Sequence, residues 1–226
     1  MDGSAFDLRF FGLGSKRLPS VLRLPALPHG LIVFAHGSDS SHRSPRNNAV
    51  AERLSEAGFA TLLTDLLTPP EARNRANVFD IALLADRVID ALANLKAEEP
   101  LANLPVGLFG ASTGAGAALR AAADCPFRIH AIVSRGGRPD LAGADALARV
   151  TCPVQLIVGA NDPEVIALNR SAAGLLSGPR ELVIVPGAGH LFEEPGAMDI
   201  VTAHARSWFA THLVSGRVLS CRQGCL

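Results

Sequence analysis

Three residues of the 226-residue chain have the types and the order that acyl chemistry requires. Ser112 lies in Gly110-Ala111-Ser112-Thr113-Gly114, a Gly-x-Ser-x-Gly pentapeptide. A serine hydroxyl attacks a carbonyl only when a base takes its proton, and the base needs a third group to orient it. Downstream, Asn161-Asp162-Pro163 supplies an acid and Gly187-Ala188-Gly189-His190 a base, in the order Ser, Asp, His. Each is weak alone. Asn-Asp-Pro is ordinary turn chemistry, and seven histidines are available. Together they predict a nucleophile, Ser112, a general base, His190, and an orienting acid, Asp162. Asp140 is the rival acid.

Attack on a carbonyl creates an oxyanion that needs donors. The backbone N–H of Thr113 is one candidate. The N–H of Ser38, in Phe34-Ala35-His36-Gly37-Ser38, is the other. Arg43, Arg46, Arg135 and Arg138 also fall in or near these loops. His36, Arg46 and Arg135 are the candidate substrate contacts, since a guanidinium fork matches a carboxylate or phosphate. The competing reading pairs the arginines with Asp39, Asp140, Glu193 and Glu194 as braces, and bracing is expected for at least two of the four.

These residues can meet only if the chain brings its loops to one edge. Leu31–Ala35, Ala60–Leu63, Val106–Phe109, Ala131–Val133, Val154–Val158 and Leu182–Val185 are short continuous apolar runs, the pattern of strands buried on both faces. Ile81, Leu84, Val88, Leu92 and Leu95 recur at helical spacing, as do Met198, Val201, Ala205 and Trp208. Ser44-Pro45 is a helix start, and Thr113–Ala123 an Ala-rich helix. Alternating strands and helices predict an α/β fold: a mostly parallel sheet, helices on both faces, and an active site at the carboxyl ends of the strands. Residues 1–24 are expected to add an antiparallel edge hairpin, with 214–226 as a tail to one domain spanning 1–226. His204 and His212 are expected on a helix surface.

The pentapeptide, His36-Gly37, Asp162 and His190 resemble the α/β-hydrolase superfamily. Ser44-Pro45-Arg46-Asn47, Ser134-Arg135-Gly136-Gly137-Arg138-Pro139-Asp140 and His190-Leu191-Phe192-Glu193-Glu194-Pro195-Gly196 look like the small dienelactone-hydrolase-like bacterial proteins. The resemblance covers about residues 30 to 212. It implies a lidless hydrolase with Ser112, Asp162 and His190 as triad. Dienelactone hydrolases use a cysteine where this chain has Ser112, so their substrate does not carry over. Relatives also tend to have Gly at position 39 and an Arg-His pair, where this chain has Asp39 and His42-Arg43.

Composition narrows the partners. Lys plus Arg and Asp plus Glu both total 21, so bulk electrostatics favours neither nucleic acid nor an anionic membrane. No apolar run has membrane-spanning length and no signal peptide is evident, which gives the expectation of a cytoplasmic protein. Phosphate-cradling GxxxxGK, dinucleotide GxGxxG and HExxH motifs are absent, and Cys221 and Cys225 lack neighbouring ligands, so neither cofactor nor metal is expected. With no insertion long enough for a cap domain, the site should be open and shallow. The expected activity is carboxylic ester hydrolysis of a small ester, lactone or thioester, by a monomer or homodimer. An acyltransferase with the same triad, or a silent α/β-hydrolase-fold binding module, are the alternatives.

Overall fold

A computed structural model of the chain describes residues 5–38 and 40–213. Asp39, Cys221 and Cys225 lie outside the described residues. Eight strands form one sheet: β1 (Asp7–Leu13), β2 (Leu18–Leu24), β3 (Leu31–Ala35), β4 (Ala60–Thr64), β5 (Val106–Ala111), β6 (Ile129–Arg135), β7 (Val154–Gly159) and β8 (Arg180–Val185). Their order is β1-β2-β4-β3-β5-β6-β7-β8. β1 and β2 form an antiparallel hairpin on one edge, β2 runs antiparallel to β4, and every other pairing is parallel.

The strands from β3 to β7 are continuous apolar runs because both faces are covered. On one face Val33, Leu62, Leu108, Ile132 and Leu156 pack with α4 (Ile81–Lys96), α5 (Thr113–Asp124) and α6 (Ala144–Arg149). On the other, Ile32, Phe34, Leu63, Phe109, Val133 and Ile157 meet α1 (Pro45–Glu56) and α8 (Ala197–Leu213). Successive strand residues alternate between the two cores, as the period of two demands. α7 (Pro163–Leu175) completes the βα alternation. No described helix is long and apolar enough to cross a membrane.

Helix starts follow their capping chemistry. Ser44 accepts from the Asn47 N–H and Pro45 opens α1. Asp80 caps α4 by accepting from the Leu83 N–H. Two single-turn helices, α2 (Pro69–Ala72) and α3 (Arg75–Val78), follow β4 and were not anticipated. Thr68 and Glu71 form a reciprocal capping box that stabilises the first of them.

Candidate active site

β5 is a central strand and ends in the Gly-x-Ser-x-Gly turn. Ser112 has φ 51° and ψ −125°, a conformation that L-residues rarely adopt. The turn is held on three sides: the Ser112 N–H donates to Arg135 O, and Ser112 O accepts from the Ala115 and Arg138 N–H groups. Gly114 lets helix α5 press against β3, because a Cβ there would overlap the carbonyl oxygens of Ala35 and His36. Such strain costs about 1–3 kcal/mol. Ser112→Gly should therefore raise stability by about 1 kcal/mol after the added unfolded-chain entropy is counted, or about 2–4 °C in Tm. A variant that melts at or below the parent would show that the elbow stores no such strain.

β7 and β8 deliver the other two residues. Asp162 is the N-cap of α7 and Ser112 the N-cap of α5, yet neither side chain caps its helix. Both are capping residue types, and a missing cap costs about 1 kcal/mol. The Asp162 carboxylate is turned instead to His190, with Oδ2 2.7 Å from Nδ1. Asp140, the rival, forms a two-pronged pair with Arg138 at 2.9 and 2.7 Å. Asn161 joins the acid loop to the base loop: its N–H donates to Ala188 O and its side-chain amide to Gly187 O at 2.8 Å. Gly159 permits that approach, since a Cβ there would overlap the Ala188 carbonyl oxygen. The Gly189 N–H donates to Glu194 at 2.9 Å, and the buried Phe192 ring anchors the loop. Among the described residues, Ser112 Oγ forms no hydrogen bond with His190.

The candidate oxyanion loop follows β3. Gly37 lies against the elbow, so close that a Cβ on it would stand 2.9 Å from Ser112 Cβ. The Ser38 N–H is engaged, donating to Thr113 Oγ1 at 2.9 Å. The Thr113 N–H has no partner among the described residues and sits at the positive end of α5.

Comparison with known proteins places this architecture. A dienelactone hydrolase from Anabaena variabilis superposes with a TM-score of 0.86 and 48% identity, over 92% of this chain and 98% of that one. The chain belongs to the dienelactone hydrolase family. It accordingly has the α/β-hydrolase fold. A Mycobacterium tuberculosis protein named "Putative phosphoribosyl transferase" is 58% identical over 192 residues, 85% of this chain and 43% of that protein. The chain thus spans less than half the length of these curated relatives. A Bradyrhizobium protein named "Probable 2-oxo-3-(5-oxofuran-2-ylidene)propanoate lactonase" is 26% identical over 79% of this chain and 75% of its own. No family model matches the sequence.

Two of the expected substrate contacts take other roles in this dienelactone hydrolase family member. His36 commits both ring nitrogens to backbone. The Leu66 N–H donates to Nε2 at 3.1 Å, so Nδ1 carries the proton and donates to Gly37 O at 2.9 Å. It ties the oxyanion loop to the end of β4 and offers substrate no polar ring atom. Arg46 pairs with Glu193 at 2.9 Å, linking α1 to the base loop. With Arg138 on Asp140, two of the four arginines are braces. Arg135 differs: it is held only by Asn47 at 3.3 Å and Met198 Sδ at 3.8 Å, faces no carboxylate, and leaves Nε unpartnered. Burial and the nearby Arg46 push its pKa down to about 10.

Burial also lowers the His36 pKa below the ordinary imidazole value of 6.5. Between the folded and unfolded values the unfolded chain binds more protons, so stability rises with pH there. The His36 contribution is intact above about 6.5 and is lost progressively as pH falls below it. Urea unfolding from pH 7 to 5 should show a steeper loss in the parent than in His36→Asn. Parallel slopes would remove His36 as the source.

Beside this loop lies a cavity of about 230 Å³, lined by His36, Gly37 and Ser38 on one side and by Leu67, Ala72 and Val78 on the other. The two unanticipated helices α2 and α3 supply much of that apolar wall. They give the chain an apolar recess beside the candidate oxyanion loop.

Proposed function

We propose that the protein is a serine hydrolase that cleaves small carboxylic esters, lactones or thioesters through an acyl-enzyme on Ser112. The observation that carries this reading is the 2.7 Å His190–Asp162 bond, made by an N-cap aspartate that forgoes its cap, beside a serine held in a strained elbow. Asp162 accepts from Nδ1–H, which leaves Nε2 as the lone-pair base for the Ser112 proton. Ser112 Oγ adds to the carbonyl carbon. The Thr113 N–H holds the resulting oxyanion, joined by the Ser38 N–H once it exchanges the Thr113 hydroxyl for substrate. Collapse breaks the bond to the leaving oxygen or sulfur, which takes the proton from His190. Water, deprotonated by His190, then releases the acid and restores Ser112.

The roles also orient the substrate. The leaving group must face His190, on the β8 side of Ser112. The acyl group then extends the other way, past the oxyanion loop toward the 230 Å³ cavity. That volume is below the roughly 300–1,000 Å³ of sites for drug-sized ligands, which favours a short or single-ring acyl group. The name of the mycobacterial relatives belongs to a protein of which the matched region is only 43%.

The test is intact-mass spectrometry after a fluorophosphonate probe, with peptide mapping, on the parent and on Ser112→Ala. One adduct on Ser112 that is absent from the variant is expected, with hydrolysis of short p-nitrophenyl esters by the parent. A folded parent that takes no adduct would overturn the reading.

A further inference from the structure

At the opposite end of the sheet from Ser112, a second cavity of about 710 Å³ opens beneath the amino ends of the strands. His29 and Pro105 reach it from just before β3 and β5, Arg128 and His130 from the start of β6, Lys96 from the end of α4 and His212 from the end of α8. Five basic side chains line it, and among the described residues no carboxylate does. We propose that this cavity binds a phosphomonoester carried on a flat ring, at a site independent of the hydrolytic one.

The donors suit a tetrahedral dianion. Arg128 is exposed and makes no ion pair among the described residues, so its planar fork is available. Lys96 uses one proton on Leu104 O at 3.2 Å and keeps two for a ligand. His130 Nδ1 accepts from the Val106 N–H at 3.1 Å, which puts the ring proton on Nε2 as a donor without requiring positive charge. His212, expected on the helix surface, is half-buried, its ring 4.5 Å from Trp208 and edge-on to it. Between these groups Pro28, Pro126 and Phe127 offer flat apolar surface.

Among the described residues lining the cavity, nothing compensates its field. Burial is the larger reason that His130 resists protonation, and the charges of Arg128 and Lys96 add to it. A dianion would reverse both charge effects and satisfy the spare donors. Lys96 and His212 also lie in last helical turns, where basic residues complement the helix dipole. That accounts for neither Arg128 nor His130, which belong to a strand and its approach.

The experiment titrates the full chain with phenyl phosphate, inorganic phosphate and benzoate, following the histidine ring resonances by NMR and the heat of binding. Saturable binding of phenyl phosphate is expected, tighter than either fragment, with His130 resonances moving and its pKa rising. The double variant Lys96→Gln/Arg128→Gln should weaken it about tenfold or more, the loss of one or two charge-assisted bonds. Arg206→Gln, which removes a charge from the exposed side of α8, should not. Absence of a saturable shift at His130, equal affinity for benzoate, or equal weakening by Arg206→Gln would overturn the proposal.

Discussion

Replacing Asp162 with Asn is expected to lower kcat on a short ester by about 10⁴ while the protein stays folded. The amide would keep the size of the carboxylate, but it can present an N–H to His190 Nδ1. The ring then carries its proton on Nε2, the wrong side for taking one from Ser112. The helix start should be unaffected, because the Asp162 side chain caps nothing in α7. Asp140→Asn is the matched control. It breaks the pair with Arg138 and belongs to the structure of the 139–142 turn, so kcat should change by no more than a few-fold. Steady-state rates on both variants, with circular dichroism to verify folding, decide the matter. Near-normal turnover in Asp162→Asn, or a large loss in Asp140→Asn, would reassign the acid.

Gly114→Ala should damage stability and chemistry together. The added methyl would overlap the carbonyl oxygens of Ala35 and His36, and backbone cannot rotate aside as a side chain can. Overpacking usually costs about 1–3 kcal/mol, and a backbone clash belongs at the upper end. The loop that must yield is the one bearing Ser38. If it moves, the proposed second oxyanion donor moves with it, and kcat/KM should fall by about 10²–10³, the usual effect of losing one such donor. Urea midpoints at unchanged m-value report the first effect, and rates under conditions where the variant is folded report the second. Full activity in a destabilised variant would mean that the loop keeps its place without Gly114.

Much of the fold was legible because its signals are local. Strands β3 to β7 read as apolar runs since both faces are covered, and Ser44-Pro45 marked the start of α1 because capping is local chemistry. Strands β5 and β6 extend beyond those runs, as Gly110 and Arg135 join the ladder without being apolar. The helices α2 and α3 are too short to show a period. Their available signal was Thr68 with Glu71 three residues on, the capping-box spacing. At the site, residue types and order suggested Ser112, Asp162 and His190. What the sequence could not disclose were contacts between distant segments. The Ser38 amide donates to Thr113, 75 residues away, and His36 is locked by Leu66. Arg46 and Arg135 look alike in sequence, but one meets Glu193 and the other meets no acid.

Three non-glycine residues among those described have φ in the left-handed region: Arg17 in the hairpin turn, Ser112 at 51° and Phe192 at 55°. The last two belong to the loops that carry the proposed nucleophile and base, and they would respond oppositely to selection for heat resistance. At position 112 glycine relaxes the backbone and removes the hydroxyl, so a lineage chosen for stability alone would drift toward an inert protein. At position 192 glycine relaxes the backbone but empties a core site where the ring is only 1% exposed, and the loss of packing outweighs the relief. Durability and chemistry compete at the proposed nucleophile and pull together at the anchor of the proposed base loop. Adaptation to heat in this chain therefore has to come from positions outside the elbow.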